Sequence, residues 1–230
     1  LLPCAGSGQR AGTLRPKQYE PLAGVPLVVH TLRALSAVTA FKRGVLVVAP
    51  DDTQMVGVLA QYPQAAFGVA PVGGATRAAS VLAGVQHLLS QGVQRDDWVL
   101  VHDAARCLIE PSDVNRLIDA CRGDPVGGLL AVPLADTLKM ARHGRVQGTL
   151  DRSDKWLAQT PQMFRCGLLH DALLQAGANV TDEASAVEHA GYSPLLVRGS
   201  AHNLKVTYPE DFTLARALLM ARGEPTGEDA

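Results

Sequence analysis

The chain has 230 residues, 47% of them hydrophobic, and its 21 Lys and Arg against 22 Asp and Glu give a formal net charge of -1. A length of this order supports a substantial core, and a single domain spanning 1–230 is the expectation. The charge balance gives no global positive field to hold nucleic acid or an anionic membrane, so neither partner is expected and any phosphate site has to be local.

Cys4, Cys107, Cys121 and Cys166 are widely spaced, without a CxxC pair or a zinc-type Cys/His cluster. They read as small apolar residues in a reducing cytoplasm. The apolar runs GVLVVA and GGLLAV are far shorter than the roughly 20 residues that cross a bilayer. The chain opens on LLP, with neither Met nor a signal-like start, which leaves an upstream segment open.

In chain order, LLP reads as the end of a first strand and residues 6–12 as its exit loop. Short β-rich runs follow at 44–50, 65–72, 98–105, 126–134 and 193–200. Between or after them, residues 26–38, 75–91, 112–122, 166–176 and 182–191 carry apolar residues at helical spacing. This alternation predicts an α/β fold, a mostly parallel twisted sheet with helices on both faces. Residues 136–152, DTLKMARHGRVQGTLDR, lack the apolar face of a core helix and turn at HGR, which predicts a protruding β-hairpin at about 136–153. It is either a long surface hairpin or an arm bridging subunits, since a lone two-stranded hairpin needs something to pack on. The last helix is expected to start at TYPED, with Thr207 as cap and Glu210 three residues on. The tail 223–230 is polar and expected to be disordered.

The opening loop GSGQRA has the form GxGxxA, in which glycines let backbone N–H groups approach phosphate oxygens. A dinucleotide fold would place an acidic residue about 20 positions on, for the ribose. That region here reads LAGVPLVVH, without a carboxylate, which argues against an NAD-dependent oxidoreductase. The loop runs on to Pro16 and carries Arg10 and Lys17. Guanidinium and ammonium together suit a transferring phosphoryl group, although both residues also fit as solvated loop cations. Asp103 and Arg106 in VHDAAR stand at the carboxyl edge of a strand, as a ligand site or as a structural pair closing the loop. Asp103 is a candidate metal ligand. Residues 73–84, GGATRAASVLAG, give a second glycine turn opening a helix, with Ser80 one turn inside.

In this order, PCAGSGQR, PKQY, GGATRAASVLAG, VHDAAR, DTLK, DR at 151–152, TPQ, TDEASA, NLKVT and PED resemble the 2-C-methyl-D-erythritol 4-phosphate cytidylyltransferase family, from residue 1 to about 215. The resemblance implies a Rossmann-like nucleotidyltransferase fold, a homodimer joined through the hairpin arm, and Mg2+-dependent joining of CMP from CTP to a sugar-alcohol phosphate. It places transition-state stabilisation on Arg10 and Lys17 and positioning of the sugar phosphate on Arg152 and Lys205. Asp103, Arg106, Thr137, Thr160 and Thr181 match sugar-phosphate-pocket positions. Pro3, Cys4, Ala5, Gly6, Gly8, Gly74, Ser80 and Ala104 match the nucleotide side. Three departures are visible: Cys4 where alanine is frequent, Ala75 where an acidic residue commonly follows the double glycine, and Cys107 where proline is common. A relative acting on another polyol phosphate, such as ribitol 5-phosphate, shares the same chemistry.

Overall fold

Alternation of apolar side chains along very short strands decides which helices lie on which face of the sheet. The computed structural model describes residues 1–6, 15–177 and 180–223. A short strand β1 (Leu2–Pro3) is followed by a 3-10 turn at Lys17–Tyr19, a small ladder of β2 (Pro21–Leu22) and β3 (Val25–Pro26), and α1 (Leu27–Ser36). Then come β4 (Gly44–Val47), α2 (Met55–Gln61), β5 (Phe67–Ala70), α3 (Arg77–Ser90), β6 (Trp98–Val101) and α4 (Pro111–Cys121). The second half holds β7 (Gly127–Pro133), β8 (Leu138–Arg142), β9 (Arg145–Leu150), β10 (Trp156–Arg165), α5 (Cys166–Ala176), α6 (Glu183–His189), β11 (Leu195–Arg198) and α7 (Pro209–Ala221).

β1, β4 and β5 pair in parallel, as do β7 and β11. β10 runs antiparallel between β6 and β7. Leu1 joins the two halves: its N–H donates to Leu100 O at 2.7 Å and its carbonyl accepts from His102 N at 3.0 Å. The strand order across the molecule is therefore β5-β4-β1-β6-β10-β7-β11. Leu2, Leu46, Leu130 and Met163 pack with α1, α2 and α4 on one face. Their chain neighbours Leu1, Val45, Val47, Leu129 and Phe164 pack with α3, α5 and α6 on the other, as a strand period of two requires. A third cluster seats α7 through Ala215 and Leu219 against Leu22, Leu27 and Leu108.

The expected helices and strands are present, and residues 138–150 form the expected hairpin. It turns at His143 and Gly144, both at positive φ (49° and 74°), as a two-residue primed turn demands. The 3-10 turn, the β2–β3 ladder, α2 and β10 lie outside the sequence expectations. α2 starts where Asp52 Oδ1 accepts from the backbone N–H groups of Gln54 and Met55. β10 has a continuous mixed sequence, WLAQTPQMFR, and its register shifts between Ala158 and Gln162. The start of α7 is corrected by one residue: the Asp211 carboxylate, rather than Glu210, accepts from Thr207 N and Tyr208 N. All four cysteines are free and buried. Among the described residues, no helix is long and apolar enough to cross a membrane. The tail from residue 224 on lies outside the described residues.

Candidate active site

At the carboxyl ends of β1 and β6 the sheet opens into a cleft of about 360 Å³. Pro3, Cys4, Ala5, Gly6, Lys17, Gly74, Ser80, Asp103, Ala104 and Lys205, expected from five separate segments, all line it. Gly8 and Arg10 lie outside the described residues.

One wall is two close-packed backbones, the exit of β1 and the glycine turn before α3. A Cβ on Gly73 would sit 2.4 Å from Ala5 Cβ and 2.6 Å from Val48 O, so this approach needs glycine. Gly73 N donates to Val48 O at 2.8 Å. The Ser80 hydroxyl, 3% exposed, accepts from Gly74 N at 3.1 Å, so Ser80 shapes the turn from behind. Thr76 caps α3 by accepting from Ala79 N at 3.1 Å. Opposite, Gln18 Nε2 donates to Cys4 O at 2.8 Å, and the Tyr19 hydroxyl donates to Asp52 at 2.5 Å. These bonds fix the 3-10 turn from which Lys17 reaches across to Val206 O at 2.7 Å. Burial first, then the nearby Asp52 carboxylate, pushes the Cys4 thiol up to about 12, so it stays protonated and offers no thiolate nucleophile.

The opposite wall is ionic. Asp103 accepts from Arg77 Nε at 2.8 Å and from Lys205 Nζ at 2.7 Å. Burial pushes its carboxyl upward, but the Arg77 and Lys205 charges outweigh that and hold it well below the usual carboxylate range. Arg77 also forks onto Glu183, with Nη1 to Oε1 at 2.6 Å and Nη2 to Oε2 at 2.9 Å. The expectation that Asp103 could ligate a metal meets a direct obstacle, since each of its oxygens already carries a cation. Among the described residues there is also no group of three or more His, Cys, Asp or Glu able to hold a metal ion.

The other expected residues stand around this cleft rather than in it. Thr160, 4% exposed, accepts from Asp103 N at 3.0 Å and meets His102 Nδ1 at 3.0 Å. The second His102 nitrogen, Nε2, lies 3.2 Å from Arg106 O, a pure acceptor, so Nε2 bears the proton and the Thr160 hydroxyl donates to Nδ1. Burial lowers His102 to about 4, in keeping with a neutral ring. Arg106 donates to Asn203 O and Ala158 O, so the alternative of an Asp103–Arg106 pair is replaced by ties to the Asn203 loop and to β10. Thr181 is exposed and its hydroxyl approaches Ser185 Oγ at 3.4 Å. Thr137 and Arg152 are exposed at the base of the hairpin, where Arg152 donates to Ala135 O.

The model of the 2-C-methyl-D-erythritol 4-phosphate cytidylyltransferase family matches residues 1–221. The chain belongs to this family. A 2-C-methyl-D-erythritol 4-phosphate cytidylyltransferase of Laribacter hongkongensis is 53% identical, over 95% of this chain and 94% of that protein. A bifunctional enzyme IspD/IspF of Albidiferax ferrireducens is 61% identical over 96% of this chain, which spans about half (53%) of that longer relative. Among solved structures, one titled 4-diphosphocytidyl-2C-methyl-D-erythritol synthase superposes with a TM-score of 0.84 at 44% identity, covering 95% of each chain. The Thermus thermophilus cytidylyltransferase superposes at 0.75 and 30% identity, over 95% and 97% of the two chains.

For a cytidylyltransferase the informative residues that sequence reasoning passed over are Arg77, Gln18 and Glu183. One signal was present. Arg77 occupies the first turn of a helix, where the macrodipole mildly disfavours a cation. Glu183, in contrast, looks like an ordinary acidic residue opening a helix, although it is fully buried. Gln162 completes the frame: it donates to Asp182 Oδ2 at 2.8 Å and accepts from Ala184 N at 2.7 Å, tying the start of α6 to β10.

Proposed function

We propose that this chain transfers CMP from CTP to 2-C-methyl-D-erythritol 4-phosphate, giving 4-diphosphocytidyl-2-C-methyl-D-erythritol and pyrophosphate in the non-mevalonate isoprenoid pathway. The observation that carries the reading is the cleft itself, in which Lys17, Arg77 and Lys205 converge beside two close-packed glycine-type backbones. The relatives' names support the same acceptor.

The chemistry needs little from side chains except charge and position. A phosphate oxygen of the acceptor forms a bond to the α-phosphorus of CTP, and the bond from that phosphorus to the bridging oxygen of pyrophosphate breaks. The acceptor phosphate is ionised near neutral pH, so no general base is required. The cost is anion against anion. Lys17, with Arg10 of the same loop, lowers it by stabilising charge on the transferring and departing phosphates. Lys205 and Arg152 hold the acceptor phosphate for in-line attack. Asp103, Arg106, Thr137, Thr160 and Thr181 frame the acceptor pocket, with Thr160 acting through the Asp103 amide. Pro3, Cys4, Ala5, Gly6, Gly8, Gly74, Ser80 and Ala104 frame the nucleotide. Cys4 replaces a small residue without loss, because its contribution there is backbone.

Mg2+ is the cofactor in this reading, and it would neutralise triphosphate charge. With both Asp103 oxygens paired, this ion fits as part of the nucleotide complex rather than as a guest of a carboxylate cage, and no residue role above depends on it.

A homodimer through the arm belongs to the same reading. Leu138, Met140 and Leu150 share one face of the hairpin, and Val146, Trp156 and Leu157 add exposed apolar surface beside it. A second copy of the chain covers that face and brings the partner subunit's Arg152 to the cleft. Four buried thiols suit a reducing compartment, and the enzyme reads as cytoplasmic.

Pyrophosphate release against a panel of nucleoside triphosphates and polyol phosphates tests the reading. Turnover restricted to CTP with 2-C-methyl-D-erythritol 4-phosphate is expected. Preference for ribitol 5-phosphate would move the acceptor, and binding of CTP without pyrophosphate release would leave a nucleotide-binding module.

A further inference from the structure

A row of alternating charges runs from the interior into the cleft. Glu183, whose side chain is 1% exposed, holds both terminal nitrogens of Arg77. The Arg77 Nε holds Asp103 Oδ1, and Asp103 Oδ2 holds Lys205 Nζ. The four residues come from the first turn of α6, the first turn of α3, the loop after β6 and the segment before α7.

Each link restricts the next. A planar guanidinium whose two terminal nitrogens are fixed on a buried carboxylate cannot turn, so the direction of its Nε–H is set by Glu183. With Oδ1 engaged, the Asp103 carboxylate presents Oδ2 to the cleft. There it meets Lys205, which at 35% side-chain exposure is the open end of the row. The nucleotide wall has its own supports, namely Gly73 on Val48, Gly74 on Ser80 and Gln18 on Cys4, and none of them passes through Glu183.

We propose that Glu183 and Arg77 are positioning residues for the acceptor phosphate, acting through Asp103 on Lys205, and that they set affinity for the acceptor rather than for CTP. This inference rests on the transferase reading above. It assigns the reach of Lys205 to a carboxylate on a different element, with no contact of its own to either substrate.

The test is steady-state kinetics of the full-length Glu183→Gln and Arg77→Ala variants beside the unmodified enzyme. Glutamine keeps the shape of Glu183 but turns an N–H donor toward the guanidinium. The expected result is a rise in acceptor KM of about 10- to 100-fold, the scale of a misplaced contact, with CTP KM nearly unchanged. Guanidinium ion at non-denaturing concentration should restore acceptor affinity to Arg77→Ala and should not restore it to Lys205→Ala. An unchanged acceptor KM in Glu183→Gln, an equal loss toward both substrates, or no rescue of Arg77→Ala overturns the proposal. If Glu183→Gln fails to fold, the rescue of Arg77→Ala decides. Turnover by the unmodified enzyme reports separately on the transferase reading, and if ribitol 5-phosphate is the acceptor used, the same ratios are read with it.

Discussion

Folding stability should depend on pH through His102, a residue far from the surface and without a chemical role. Its ring is 2% exposed, donates from Nε2 to Arg106 O and accepts at Nδ1 from Thr160. Protonation would place a donor against the Thr160 hydroxyl, which already accepts from Asp103 N. Burial is the largest cause of the lowered value, with Asp103 opposing it, and together they bring the ring from 6.5 to about 4. Between these values the unfolded chain binds a proton that the folded one refuses, so stability falls as pH drops from about 6.5 to about 4. At about 1.36 kcal/mol per unit the difference amounts to about 3 kcal/mol. Urea unfolding at several pH values, on the wild type and on His102→Asn, isolates this contribution, because other titrating groups affect both proteins. The variant is expected to be less stable at pH 7 and to lack about 3 kcal/mol of the acid-side decline. Parallel stability–pH curves for the two proteins would refute the reasoning.

Other outcomes follow from the same geometry. Lys17→Ala should lower kcat by roughly 100-fold or more while far-UV dichroism is unchanged, and near wild-type turnover would remove Lys17 from the phosphate site. Gly73→Ala places a Cβ against Ala5 Cβ and the Val48 carbonyl. It should cost about 1–3 kcal/mol in denaturant unfolding and raise the KM for CTP more than that for the acceptor. Val146→Lys, at a position 62% exposed, should leave the fold intact but shift sedimentation toward the monomer; an unchanged sedimentation coefficient would count against dimerisation through the arm. Mixing Arg152→Ala with Lys17→Ala subunits should restore turnover in one of the two sites of the mixed dimer. No recovery would count against sharing of sites between subunits.

The layered fold was legible because short continuous apolar runs, buried on both faces as strands, alternate with segments of helical spacing. Leu1, Val45 and Val47 go one way and Leu2, Leu46 and Val48 the other, and each helix between them carries an apolar stripe. The hairpin was legible for a different reason, since 136–152 alternates only weakly and lacks a helical apolar face but does have a His-Gly turn. β10 was missed because it mixes exposed Trp156 and Leu157, buried polar Gln159, Thr160 and Gln162, and the apolar pair Met163 and Phe164. Its polar centre faces other polar groups across the sheet. Gln159 donates to Ser200 O and Asn203 donates to Thr160 O, contacts between segments more than 40 residues apart that no local window contains.

The site divides along the same line. Residues whose position is set by a local turn, such as Gly6 and Gly74, could be placed at the cleft from their motifs, because the turn fixes their surroundings. Residues whose role is set by a distant partner could not. Thr160 reads as a pocket hydroxyl in TPQ, yet its oxygen is spent on Asp103 N and His102. Arg106 reads as a ligand-site cation or as an ion-pair partner of Asp103, and of these the pair is absent: it ties Asn203 to Ala158. Arg77 shows how far such a reading could have gone. A cation in the first turn of α3 is locally unfavourable by roughly 0.3–1 kcal/mol, a penalty that solvation alone can absorb, so it marks Arg77 as unusual without pointing to Glu183, 106 residues away.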